Sequence, residues 1–254
     1  MAGGKKDLTG EAALVTGAAR GMGKAIAVQL ARAGADVAVN DIDEGGAALV
    51  AEEIRLMGRR SVDVAGDITK ADAVRRIVEK AVATLGKVSI LVNNAGVLKP
   101  TRLLDITERE WDFVMDVTVR GAFLMTKAVL PHMMRNGWGK IVNMSSSAGK
   151  TVSTLGGAHY TTAKTALLGF NRAVAKEMAP HGITSNAVCP GLIDTEMVRR
   201  NCTPEMIAKY EKSFPISRLG LPEEVADLVM FLSCRESDYI TGGAFDINGG
   251  DLMV

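Results

Sequence analysis

The stretch that most constrains this chain runs from Ala12 to Asp41. Ala12-Ala13-Leu14-Val15 is a short apolar run that ends in Thr16-Gly17-Ala18-Ala19-Arg20-Gly21-Met22-Gly23. Beyond it, Ile26, Leu30 and Ala33 recur at helical spacing, and Gly34 stands where a C-cap would stop the helix. Asp36 to Val39 form a second strand, which ends at Asp41. Strand, glycine turn, helix and strand in this order make one crossover unit of a parallel sheet. Glycines permit the tight turn and let backbone N–H groups approach a pyrophosphate at the helix N-terminus, where the dipole favours negative charge. Asp41, twenty positions after Gly21, falls where dinucleotide folds present a carboxylate to the adenosine ribose.

The remaining sequence repeats the alternation, as expected of a parallel sheet covered on both faces. Glu44 to Leu56 reads as a helix and Ser61 to Val64 as a third strand. Val74, Ile77, Val78, Ala81 and Leu85 mark another helix, and Ile90 to Val92 the fourth strand. Trp111 to Val119 and Ala122 to Met134 read as two helices separated by Gly121. Lys140 to Met144 is a fifth strand. A long helix carries Ala163, Leu167, Phe170, Val174 and Met178 on one side, with Gly182 near its end. Ser185 to Val188 and Ala244 to Ile247 are strands six and seven. No linker or repeat interrupts the series. Ligands in such sheets bind beyond the carboxyl ends of the strands, where Asp41, Asp67, Asn93, Ser146 and Pro190 all fall.

Tyr160 and Lys164, four residues apart on the long helix, share a face. An ammonium beside a phenol favours the phenolate, so the pairing predicts a Tyr160 pKa lowered toward neutrality. A phenol so tuned exchanges a proton at physiological pH, which suits interconversion of alcohol and ketone.

Composition narrows the partners. Thirty basic and 29 acidic residues give a net charge of +1, with no basic surplus to argue for nucleic acid. No stretch approaches the roughly 20 apolar residues that cross a bilayer. Met1 to Asp7 has no apolar segment after it, so no secretory signal is expected. Cys189, Cys202 and Cys234 are odd in number and scattered, which suits a reducing cytoplasm. His132, His159 and His181 lack metal-ligand spacing with them, so each is read as surface or packing and no metal is expected.

The glycine turn has the spacing T-G-x-x-x-G-x-G. Together with Asn93-Asn94-Ala95-Gly96, Ser146, Tyr160 to Lys164 and Pro190-Gly191, it resembles the short-chain dehydrogenase/reductase family in its compact branch. The resemblance covers Leu8 to Gly250. It implies a Rossmann-type, doubly wound parallel sheet of seven strands with helices on both faces. Residues 1–254 would form a single α/β domain with a substrate lid at about 192–216. The implied cofactor is NAD, held by Gly17, Arg20, Gly21, Met22, Gly23 and Asp41. Asp67 and Ile68 would meet the adenine, and Asn94, Ala95 and Gly96 would shape the groove. Pro190, Gly191, Ile193 and Thr195 would run under the nicotinamide. The bland readings are a strand-end cap for Asp67 and an interstrand hydrogen bond for Asn93.

The implied catalytic residues are Ser146, Tyr160 and Lys164, with Lys164 also reaching the nicotinamide ribose. Ser147 has the family's spacing to the tyrosine, but Ser146 matches its Ser-x-x-Gly turn and is preferred. Thr118 stands where the family has an asparagine that holds a relay water, and is the departure from pattern. Asp41 repels the 2′-phosphate of NADP, whereas Arg20 could meet it, and Asp41 is given the greater weight. The expected activity is NAD(H)-dependent interconversion of a secondary alcohol and a ketone, with Tyr160 as general acid and base. An NADPH-dependent 3-oxoacyl thioester reductase is the alternative, and a dinucleotide-binding protein with weakened catalysis the second. The family implies a cytoplasmic homotetramer acting on a small alcohol or ketone, without nucleic-acid or membrane partners. Arg199, Arg200 and Lys209 could meet an anionic substrate, although exposed lid charge is the plainer reading.

Overall fold

Five of the predicted strands are buried along their whole length, which is why their sequences run apolar instead of alternating. The computed structural model describes residues 7–254, so the reading of Met1 to Lys6 lies outside the described residues. The strands are β1 (Ala12–Thr16), β2 (Asp36–Asn40), β3 (Ser61–Asp63), β4 (Ile90–Asn93), β5 (Gly139–Met144), β6 (Ile183–Pro190) and β7 (Ala244–Ile247). They form one parallel sheet in the order β3-β2-β1-β4-β5-β6-β7. Chain order reverses between β1 and β4, opening a crevice at their carboxyl ends.

The helices are α1 (Gly21–Arg32), α2 (Glu44–Leu56), α3 (Ala71–Leu85), α4 (Glu108–Met115), α5 (Gly121–Asn136) and α6 (Ala158–Met178). After them come α7 (Glu196–Asn201), α8 (Pro204–Ser213) and α9 (Pro222–Ser233). Successive residues of β1 feed opposite faces of the sheet, as the strand period requires. Ala13 and Val15 join a layer with Ile26 and Leu30 of α1 and Val225 and Val229 of α9. Leu14 joins the opposite layer with Ile77 and Val78 of α3 and Met125 and Met133 of α5. Gly34, at φ +104°, follows the end of α1 as its left-handed stop.

One expectation is corrected here, and one element is new. Gly121 does not separate two helices: α4 passes through a π-helical turn at Asp116–Arg120 straight into α5. A Cβ on Gly121 would stand 2.6 Å from Ile68 Cδ1, so this glycine serves close packing instead of a break. Helix α9, unforeseen in the sequence, packs along α1 and completes one face of the sheet.

Candidate active site

The glycine turn is built by backbone pressed on backbone. Gly17 and Gly21 are left-handed, at φ +62° and +55°. A Cβ on Gly23 would stand 2.1 Å from the Gly17 carbonyl oxygen, and one on Gly17 would stand 2.9 Å from Ala95 Cα. Asn94 stitches the turn to the end of β4: its Nδ2 donates to the carbonyls of Thr16 and Gly17, both at 2.9 Å. Thr16 Oγ1 accepts from the amides of Asn94 at 3.0 Å and Ala95 at 3.1 Å.

The turn fits a pyrophosphate. Helices α2, α4, α7 and α8 are each capped by a side chain, from Asp43, Thr107, Thr195 and Thr203. Helix α1 has no side-chain cap and no acidic residue in its first turn. Its N-terminal N–H groups therefore have no competing side-chain acceptor and can meet an anion. Asp41 is fixed beside them, Oδ2 accepting from Ala19 N at 3.0 Å and Oδ1 from Asp43 N at 3.0 Å. Arg20 turns toward Glu196 of α7, 3.6 Å away, and Met22 reaches the wall of the neighbouring cleft.

The other predicted cofactor residues lie along the same edge, with different tasks. Asp67 Oδ1 accepts from Thr69 N at 2.9 Å, which is the capping role, and the buried Ile68 packs on Gly121. Asn93 points inward and donates to Thr126 Oγ1 at 3.0 Å and Asn143 Oδ1 at 2.9 Å, the interstrand role. Gly191 follows Pro190 at the end of β6, so close to Asn248 that a Cβ would stand 2.8 Å from its side chain. Ile193 is buried, and Thr195 Cγ2 lies 3.7 Å from where a Gly21 Cβ would stand. The segment after β6 thus reaches across to the glycine turn.

Beyond β5 the three serines separate by what they touch. Ser145 is buried and its hydroxyl donates to the Lys164 carbonyl at 2.7 Å, anchoring α6. Ser146 opens a 3-10 turn, its Oγ accepting from Ala148 N at 3.1 Å. Its hydroxyl donates to the Pro190 carbonyl at 3.4 Å, and it is the serine whose side chain draws the Tyr160 pKa down against burial. Lys164 is buried and its Nζ donates to the Met144 carbonyl at 2.7 Å. Burial brings its pKa down to about 8.

The expected acid shift of Tyr160 is reversed. Lys164 Nζ lies 5.8 Å from the centre of the Tyr160 ring and donates one hydrogen bond to the Met144 carbonyl. Tyr160 keeps part of its surface on the cleft, yet the packed protein around the phenol pushes its pKa up, against the opposing pull of Ser146. The phenol is held as an acid, ready to donate, and is not ionised in advance.

Thr118 sits in the π-helical turn, 1% exposed, and its Oγ1 has no hydrogen-bond partner. A Cβ on Gly96 would lie 3.3 Å from Lys164 Nζ and 3.8 Å from Thr118 Oγ1, so the two polar atoms flank one small space. A buried unpaired hydroxyl beside an ammonium fits a bridging water.

One contact was not legible beforehand. His159 is fully buried, with Nε2 2.9 Å from Glu110 Oε1 and Nδ1 accepting from the Tyr160 amide at 3.0 Å. It ties α4, which leads to Thr118, to the turn of α6 that carries Tyr160. The only signal was its place next to Tyr160, and its carboxylate partner is 49 residues away in sequence. Among the described residues no group of three or more His, Cys, Asp or Glu could hold a metal ion. No helix among them is long and apolar enough to cross a membrane.

A doubly wound sheet, a glycine turn that accepts a pyrophosphate and a phenol beside a hydroxyl and an ammonium define a dinucleotide-dependent oxidoreductase. Residues 17–251 match the family model described as enoyl-(acyl carrier protein) reductase. A 3-oxoacyl-[acyl-carrier-protein] reductase of Synechocystis is 40% identical over 97% of this chain and 98% of its own. A 3-oxoacyl-[acyl-carrier protein] reductase of Brucella melitensis with bound NAD is 35% identical, at TM-score 0.91, over 98% of this chain and 94% of its own. A candidate gluconate dehydrogenase of Agrobacterium tumefaciens is 34% identical, at TM-score 0.93, over 98% of this chain and 99% of its own. The chain belongs to the short-chain dehydrogenase/reductase family and is an oxidoreductase acting on CH–OH groups.

Proposed function

We propose that this chain reduces the keto group of a 3-oxoacyl thioester to a hydroxyl, with NADH preferred over NADPH. The observation that carries the chemistry is the placing of Ser146 and Tyr160 together on the wall of one cleft, with the buried Lys164 one helical turn beyond Tyr160. Leu98, Val152, Leu155, Met197, Tyr210 and Phe214 line that cleft and suit an acyl chain. The names of the Synechocystis and Brucella relatives support the thioester reading over a secondary alcohol dehydrogenase. The latter becomes the second reading, favoured by the Agrobacterium neighbour. For the cofactor, Asp41 is fixed beside the glycine turn while Arg20 is engaged by Glu196, which weakens the case for a 2′-phosphate.

A dinucleotide held along this edge would supply the hydride for the carbonyl carbon. Ser146 donates its hydroxyl to the carbonyl oxygen and orients it. Tyr160 gives its phenolic proton to that oxygen, completing the alcohol. The ammonium of Lys164 stabilises the phenolate left behind and returns a proton, drawn through water anchored at Thr118 Oγ1. Gly17, Gly21, Met22 and Gly23 hold the pyrophosphate side, with Asn94, Ala95 and Gly96 closing the groove. Asp67 and Ile68 border the adenine, and Pro190, Gly191, Ile193 and Thr195 run under the nicotinamide. Helices α7 and α8 form a lid at about 192–216. The protein works as a cytoplasmic homotetramer through the α4–α5 face, where Phe113 and Phe123 are 47% and 45% exposed.

The test is kcat/KM for the N-acetylcysteamine thioester of 3-oxobutanoate with each cofactor. Turnover favouring NADH is expected, and Asp41→Ala shifts the preference toward NADPH. Oxidation of simple secondary alcohols without thioester reduction would overturn this reading in favour of the second.

A further inference from the structure

The cleft beside Ser146 and Tyr160 carries a charge that its sequence neighbourhood does not suggest. Its walls are apolar or neutral except at one place, Asp251 in the C-terminal tail. No described lysine or arginine lines it. The basic residues nearest in sequence are spent elsewhere. Arg199 is held by both carboxylate oxygens of Asp194 at 2.7 Å, and Arg200 by Glu196. Lys150, just past the cleft-lining serines, donates to the Ala244 carbonyl at 2.9 Å and pairs with Asp246 at 2.6 Å. Lys99, Arg102 and Lys209 are exposed outside the lining.

Asp251 is held at the cleft by its backbone. Asn248 accepts from the Gly250 amide at 2.9 Å through Oδ1 and donates to the Leu252 carbonyl at 2.8 Å through Nδ2. Its carbonyl accepts from Asp251 N at 3.1 Å. A Cβ on Gly250 would stand 2.9 Å from Pro215, which shows how closely the tail packs on the end of the lid. Asn248 itself presses on Gly191. The tail is thereby tied both to the lid and to the segment after β6. The Asp251 carboxylate makes no hydrogen bond or ion pair with any described residue.

We infer that Asp251 is a specificity-determining residue that restricts this site to uncharged substrates, admitting thioesters, esters and neutral ketones while disfavouring free carboxylates. A carboxylate entering the cleft gives up part of its hydration against the apolar side chains and meets no cation among the described lining residues to replace it. It also meets a like charge in Asp251. A neutral thioester meets neither penalty. The inference rests on the proposed keto reduction but separates its substrates further, because it sets the chain apart from enzymes of sugar acids.

The experiment uses matched pairs, ester against free acid, in two series: 3-oxobutanoate with its ethyl ester, and 3-hydroxybutanoate with its ethyl ester. Failure of the whole 3-oxo series would strike the proposed reduction, whereas the ester-to-acid ratio in whichever series turns over tests Asp251. The neutral member should be favoured in kcat/KM by about tenfold or more. Asp251→Asn should narrow that ratio several-fold, Asp251→Lys should narrow it further, and added salt should narrow it in the unmodified chain only. Equal handling of acid and ester, or a ratio that all three leave unchanged, would overturn the inference. Asp251 is exposed, so neither variant threatens folding, and matching melting curves verify this.

Discussion

The glycine turn and the lid segment meet at the same cleft, where Glu196 lies 3.6 Å from Arg20, and are held together differently. At the turn, Gly23 would bring a Cβ within 2.1 Å of a backbone oxygen, and Asn94 locks two carbonyls. The lid keeps only a small core of Val198, Cys202, Phe214 and Leu219, and its polar groups pair on the surface, as Arg199 does with Asp194. On the proposed function, cofactor binding would rest on packed backbone and substrate recognition on replaceable side chains. The site in between, Ser146 to Lys164, shares the rigidity of the first and the open polar atoms of the second.

The largest effect should come from the turn. Gly23→Ala forces the backbone of Gly17 aside, and overpacking of this kind costs roughly 1–3 kcal/mol of stability. Dinucleotide binding by calorimetry should be lost, and Tm should fall. Retained affinity would show that the turn yields more than its contacts suggest.

A smaller and graded effect is expected at Lys164. Reduction needs the Tyr160 proton and the Lys164 ammonium, and both are lost as pH rises. The lysine, at about 8, loses its charge before the phenol, whose pKa burial pushes up. The kcat/KM for reduction should therefore fall as pH rises through about 8. A profile flat across that range would remove Lys164 from the chemistry.

At Thr118, replacement by Val keeps the shape and removes one hydroxyl. Losing a hydrogen bond in the proton path should cost roughly 1–3 kcal/mol, or about one to two decades in kcat, with KM little changed. Full activity in Thr118→Val would mean that protons leave by another route. The mildest change belongs to the lid. Asp194→Asn frees Arg199, which should shift KM for charged substrates and leave Tm nearly as it was, because exposed ion pairs contribute little. A large drop in Tm would erase the contrast between lid and turn.

The same contrast decides what could be read in the sequence. The strand-turn-helix unit was legible because buried strands, left-handed glycines and a helix stop each impose a residue type locally. Glu44–Leu56 and Ala244–Ile247 fall where periodicity put them. Helix α9 carried its own signals, Pro222 at the first position with Glu223 and Glu224 behind it, ahead of the buried Val225, Ala226 and Val229. Gly121 misled because a glycine that breaks a helix and one that admits Ile68 look identical in sequence. The Tyr160 shift misled for a related reason. Four-residue spacing sets a shared face but says nothing about how deeply the fold buries the phenol, which is what pushes its pKa up. Nor does spacing reveal His159, whose importance depends on Glu110 arriving from another helix.

The proposed reduction turns on Tyr160 as the group that moves the substrate proton. Tyr160→Phe keeps the ring and removes only the ionisable hydroxyl, so it should act on the transition state and not on binding. Single-turnover reduction measured beside dinucleotide affinity separates the two. A rate lower by roughly two to four decades with affinity unchanged is expected. Hydride transfer at the unmodified rate in Tyr160→Phe would contradict it.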